Sequence, residues 1–180
     1  VSLPLFQVSS MAEQVVLVDD KDREVGLEEK MKAHEEAKLH RAFSIFVFNS
    51  KGQMLLQQRA KTKYHSGGLW TNACCSHPRQ GEAVDAAAHR RLKEEMGFDC
   101  PLKEEFSFIY KVKLDHGLTE HEFDHILIGK YEEKIEPNPE EADGFKWIGV
   151  EELRKDVAAN PEKYTTWFKI ALNEVLARRK

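Results

Sequence analysis

Only three cysteines occur in these 180 residues, alongside six prolines and ten glycines. An odd count with Cys74 and Cys75 adjacent makes a poor disulfide framework and points to reduced thiols, one of them free for chemistry. No apolar stretch approaches the ~20 residues of a membrane span, and residues 1–10 lack the basic flank and long apolar centre of a signal peptide. A cytoplasmic protein with no membrane partner is therefore expected. Charge of one sign is not in excess either: Lys+Arg 27 against Asp+Glu 31 gives a formal net charge of −4. That balance offers no chain-wide attraction for nucleic acid, so any basic site must be local. Repeats, low-complexity tracts and Pro/Gly/Ser linkers are missing too, which leaves a single domain. Residues 1–10 precede the first methionine, Met11, and read as an expression leader or disordered N-terminus; the domain then spans 11–180.

What is present is the balance of a folded globular protein, 41% hydrophobic and 32% charged. The length suffices for a proper core without structural metal, so a metal would serve chemistry. Val15–Val18 is a β-branched run ending in a polar turn, and Leu27–Glu36 favours helix by propensity. Ala42–Phe48 and Gln53–Arg59 flank an Asn-Ser-Lys-Gly turn and read as a hairpin. Lys61–Gly68 is a glycine-bearing loop of the kind that holds ligands. Helix resumes at Glu82, with Val84, Ala88, Leu92 and Met96 on one stripe and Gly97 as its stop. Phe106–Val112 and Phe123–Tyr131 read as long strands and Phe145–Val150 as a short one, with helices over Glu151–Ala158 and Glu162–Arg178. The order is mixed α/β.

The helix and its lead-in carry a spacing: Ser76, five residues, Glu82, seven residues, then Arg90 through Phe98. This resembles the Nudix box, whose glutamates hold magnesium against a diphosphate. Ser76 stands where that pattern has Gly, and Arg91 where it has Glu. Losing that carboxylate disfavours the multi-metal arrangement of Nudix hydrolases and leaves Glu95 as the best magnesium anchor. Magnesium commonly bridges one or two carboxylates to substrate phosphates, so one Glu is adequate. Arg91 and Glu95, four apart, share a helical face and can present a guanidinium and a metal-bound carboxylate to one diphosphate; an intrahelical ion pair is the plainer alternative.

Two further features are TNACCSHP, residues 71–78, and Glu120-His121-Glu122. Alternation along a strand points Glu120 and Glu122 at a shared cation and turns His121 away. His34, His40 and His77 would complete an imidazole and carboxylate site suited to manganese, zinc or iron.

With Leu39–Ser44 and Thr166-Trp167-Phe168-Lys169 added, nearly everything after Met11 resembles the type 1 isopentenyl diphosphate isomerases, which sit on a Nudix-type mixed β-sheet flanked by helices. The resemblance implies that Cys75 is the catalytic thiol and Glu122 the catalytic carboxylate, assisted by Tyr110. It implies a first divalent metal, Mn2+ or Zn2+, on His34, His40, His77, Glu120 and Glu122. A magnesium on the diphosphate would be held by Glu95 and the main-chain carbonyl of Cys75. Lys30, Arg59, Lys63 and Arg91 would supply positive charge to the diphosphate, and Trp167 would face a carbocation, although its helical neighbours by themselves favour a core position. The implied partner is a small prenyl diphosphate, the chain acting as a monomer or weak dimer.

An unactivated alkene is a weak base, so moving its double bond needs a positioned acid on one side and a base on the other. The expected assignment is donation by Glu122 and acceptance by a Cys75 thiolate, or the reverse. Cys74 and Cys100 read as buried small hydrophobes, and His65, His89, His116, His121 and His125 as structural or exposed. The rivals are a Nudix diphosphohydrolase, disfavoured by Arg91 and Ser76, and a metal-binding module without activity, disfavoured by Cys75, Tyr110 and Glu122 together.

Overall fold

The structure, a computed structural model, describes residues 13–179, and the stretch 1–10 read above as a leader lies outside them. The β-branched run forms β1 (Gln14–Val18), which turns back into β2 (Glu24–Glu29) with Val16 opposite Leu27 and Gln14 opposite Glu29. The helix expected from Leu27 therefore begins only at Lys30, as the short α1 (Lys30–Glu35). Pairing with β1 overrides the helix propensity of residues 27–29. There follow β3 (His40–Phe48), β4 (Met54–Arg59), β5 (Trp70–Thr71), β6 (Cys74–Ser76), α2 (Val84–Met96), β7 (Leu102–Lys113), β8 (Thr119–Lys130), β9 (Ala142–Ile148), α3 (Val150–Ala159) and α4 (Thr166–Arg178).

The expected hairpin of β3 and β4 shares one residue pair, Phe48 with Met54. Instead β3 runs parallel to β8 from His40↔Glu122 to Phe48↔Lys130, and β6 joins it through Ser44↔Cys75. β4 turns away to pair with β5 and β9, and β7 lies antiparallel to β8. The hub position of β3 explains its sequence. Phe43, Ile45 and Val47 pack toward Ala88, Leu92 and Met96 of α2, while Phe46 and Phe48 join Phe168, Leu172 and Val175 of α4. A strand buried on both faces must be apolar nearly throughout. Within Ala42–Phe48 the polar exception, Ser44, is 2% exposed and belongs to the site below. The result is the expected α/β class, a mixed sheet flanked by helices.

Two helix ends aim the sheet at the site. α2 stops at Gly97, whose φ of 73° is left-handed; a Cβ there would come within 2.3 Å of the Glu136 carbonyl oxygen, so only glycine fits. α4 starts four residues later than expected. The Thr165 N–H donates to the Trp70 carbonyl at 3.0 Å, and Tyr164 bridges to Trp70, which keeps residues 164–165 extended. That docking seats Trp167 above β6.

Candidate active site

Strand register brings distant residues together. His40 of β3, Glu122 of β8 and Tyr110 of β7 are neighbours across the sheet, with Glu120 one residue pair further along the same face. The Tyr110 hydroxyl donates to Glu122 Oε2 at 2.6 Å and lies 3.3 Å from Glu120 Oε2. His77 Nε2 stands 3.0 Å and His40 Nε2 3.5 Å from Glu122 Oε1, and His34 Nε2 is 3.9 Å from Glu120 Oε1. The histidines and glutamates assigned to the first metal are thus all buried, in two groups of converging donors that share His34. His121 turns away, as alternation requires, and meets the Ala37 carbonyl.

The tautomers follow from backbone acceptors. His34 Nδ1–H donates to the Lys30 carbonyl at 2.7 Å and His40 Nδ1–H to the Lys38 carbonyl at 2.8 Å. Each Nε2 is then left with a bare lone pair, and both are buried without a hydrogen-bond partner. A neutral imidazole steadied at one nitrogen, with the other aimed at converging carboxylates, is the donor set of a divalent metal site. The residues fit such an ion.

Burial pushes the His77 imidazole down to about 4. Burial together with the Arg59 charge takes His65 down to about 2. Burial works against His34, but the neighbouring Glu120 carboxylate raises it. Burial and the neighbouring Glu122 raise Glu120, whereas Glu122, against its own burial, is held well below the usual carboxylate range by His40 and His77. A histidine with a lowered pKa supports the fold fully above its unfolded value near 6.5, and that support fades as pH falls toward the folded value. His34, raised, contributes in the opposite sense. With two lowered imidazoles against one raised, chelator-treated protein should lose stability between pH 6.5 and 5, on the order of 2 kcal/mol per lowered histidine before the His34 offset. Urea midpoints at pH 7, 6 and 5 check this; a constant midpoint would contradict it.

Cys75 faces the same cavity as Glu122, Tyr110 and Trp167. The segment before it explains why. Asn72 Nδ2 donates to the carbonyls of Ile45 and Cys74 at 3.0 and 2.9 Å, which turns Oδ1 toward Cys75 to accept its S–H at 3.1 Å. Trp167 Nε1–H donates to the sulfur at 3.1 Å, and Ser44 Oγ lies 3.5 Å away while donating to Asp124 Oδ2 at 2.8 Å. Burial, together with the Asp124 charge, pushes the Cys75 thiol up to about 12 against the lowering effect of its hydrogen bonds with Ser44 and Asn72. Trp167 is 3% exposed in the α4 core and also walls the cavity. Cys74 and Cys100 are buried among apolar side chains, as expected.

The same cavity is lined by Lys30, Arg59, Lys63 and Arg91 together with Glu95. Arg91 Nη2 donates to Glu95 Oε1 at 2.8 Å and to Glu141 at 3.0 Å, and Nε donates to Ser76 Oγ at 3.1 Å. The ion pair and the cavity-facing placement therefore coexist. Lys63 also pairs with Glu141, whose carboxyl these cations hold down to about 2 against its burial. Gln57 Nε2 donates to the second oxygen of Glu95 at 3.1 Å.

Sequence reasoning missed four residues. His65, read as structural or exposed, is 2% exposed and stands 3.4 Å from Glu120. Tyr64 lines the cavity beside it. Asp124, buried behind Ser44, was detectable, because it continues the alternation of Glu120 and Glu122. Glu141 carries no local signal. Of the other histidines set aside, His89 is half-buried, His116 exposed and His125 buried against Asp22 and Glu104.

Comparison with known proteins gives a concordant picture. The NUDIX domain family matches residues 38–168. The chain is 52% identical over 169 residues to isopentenyl-diphosphate Delta-isomerase 2 of Aromatoleum aromaticum, covering 94% of this chain and 89% of that one. It is 53% identical to the protein of the same name from Photorhabdus laumondii, covering 91% and 92%. Among solved structures, DR0079 of Deinococcus radiodurans superposes with a TM-score of 0.73 at 20% identity over 92% of this chain and 98% of that one, a likeness of fold alone.

Proposed function

Because this chain belongs to the isopentenyl-diphosphate Delta-isomerases of the NUDIX family, we propose that Cys75 and Glu122 are the pair through which it moves protons on its substrate. Its reaction interconverts isopentenyl diphosphate and dimethylallyl diphosphate for isoprenoid biosynthesis. One observation carries the assignment: the thiol and the carboxylate open onto a single cavity that Lys30, Arg59, Lys63 and Arg91 also line.

In that arrangement one group of the pair gives a proton to the terminal methylene carbon, and the other takes one from C2. The roles exchange in the reverse direction. Tyr110 steadies Glu122 through its 2.6 Å hydrogen bond, and Asn72 and Trp167 hold the sulfur of Cys75 in place. The tertiary carbocation between the two steps needs a wall without a nucleophile, and the buried indole of Trp167 provides one, stabilising a cation by roughly 2 kcal/mol when water is excluded. His34, His40, His77, Glu120 and Glu122 would hold the first divalent ion, Mn2+ or Zn2+; Glu95 and the Cys75 carbonyl would hold Mg2+ on the diphosphate. When bound, these ions supply positive charge that polarises Glu122 and neutralises the phosphates. Lys30, Arg59, Lys63 and Arg91 bind and orient the diphosphate, with Glu141 keeping two of them in place.

NMR of isopentenyl diphosphate incubated with metal-loaded protein should show conversion to dimethylallyl diphosphate with no release of inorganic phosphate. Phosphate release from nucleoside diphosphate derivatives without isomerisation would replace this reading with that of a hydrolase. Arg91→Ala should raise the KM on the order of 10- to 100-fold, the worth of a charge-assisted bond to phosphate, with kcat changing less. An unaltered KM would remove Arg91 from the diphosphate site.

A further inference from the structure

We propose that His65 is an additional protein ligand of the first divalent cation, approaching from the loop between β4 and β5, so that four imidazoles and two carboxylates surround the ion. The proposal rests on the metal centre described above and extends it. His65 is 2% exposed, and its Nε2 is buried, without a hydrogen-bond partner, and 3.4 Å from Glu120 Oε1. Its donor atom lies within 4.8 Å of those of His34 and Glu120, as His34 does with His40, His77 and Glu122. Bonds of about 2.1 Å put opposite donors of an octahedron about 4.2 Å apart, so both groups have the spread of one coordination sphere once drawn in around an ion. His34 belongs to both, and Tyr110 hydrogen-bonds the carboxylate of each.

The backbone around His65 is built to deliver it. The next residue, Ser66, is held at φ 52°, a left-handed conformation costing about 1–2 kcal/mol outside glycine. Its N–H donates to Asp115 at 3.1 Å. Arg59 Nη2 donates to the His65 carbonyl at 3.1 Å. Gly67 packs where a Cβ would come within 2.6 Å of the Lys61 carbonyl oxygen. The same short loop carries Lys63, and Arg59 leads into it, so a metal bond at His65 would fix the diphosphate-binding cations as well. Cation binding and diphosphate binding are then coupled through this one residue.

Mn2+ titration followed by the EPR signal of the free ion, together with X-ray absorption counting of imidazoles, tests the assignment. Wild-type protein should show four imidazoles. His65→Ala should show three and bind Mn2+ on the order of 10- to 100-fold more weakly. His65→Phe keeps an aromatic edge against Trp167, now 5.7 Å between centroids, but offers no donor; it should match the Ala variant. Three imidazoles in wild type, or wild-type Mn2+ affinity in His65→Phe, would overturn the proposal and leave His65 a packing residue. His40→Ala separates the two levels of inference: if it also binds Mn2+ normally, the metal centre itself is misassigned.

Discussion

Cys75→Ala is expected to slow the interconversion by about 10^4-fold, with folding and diphosphate binding retained. The upper range for a positioned acid or base applies because the alkene is so weakly basic that no bystander can substitute. Nothing nearby replaces the thiol among the described residues: Cys74 is fully buried, and Cys100 is buried in the same apolar cluster with α2. The fold should survive, since the sulfur's bonds to Asn72 and Trp167 join partners that are otherwise anchored, Asn72 by two carbonyls and Trp167 by the α4 core. The cations that meet the diphosphate do not touch Cys75, so substrate affinity should change less than threefold. Steady-state rates and isothermal titration check both halves, and a rate within tenfold of wild type would remove Cys75 from the chemistry.

Glu122→Gln should cause a loss of similar size by a different route. Glutamine preserves shape and can still accept from Tyr110, but it can neither carry a mobile proton nor balance a cation. The wild-type carboxylate is kept ionised by His40 and His77 despite its burial, so the substitution removes a charge around which two imidazoles are arranged. Divalent metal content should fall along with kcat. Measuring bound metal beside the rate separates the two: a variant with full metal and negligible turnover isolates the proton-transfer role, whereas a fully active variant would contradict the assignment.

Much of this site could be read from residues near one another in sequence. Glu120 and Glu122 share a face because strands alternate, Gly97 ends α2 because only glycine fits its φ, and Cys75 and His77 sit in one short segment. What escaped were effects of register and long-range pairing. His40 meets Glu122 only because β3 and β8 run parallel, which also reduced the expected hairpin to one pair. The helix expected from Leu27 yielded to β1, and the start of α4 was delayed by Trp70. His65 read as structural or exposed because its loop is polar, and Glu141 reaches Arg91 from fifty residues away.

The most direct test of the paired thiol and carboxylate is NMR of isopentenyl diphosphate incubated in D2O with wild type, Cys75→Ala and Glu122→Gln. Wild type should place deuterium both in the new methyl group and at C2. Neither variant should label either position. Label accumulating at C2 or in the methyl group at the wild-type rate in either variant would contradict the account.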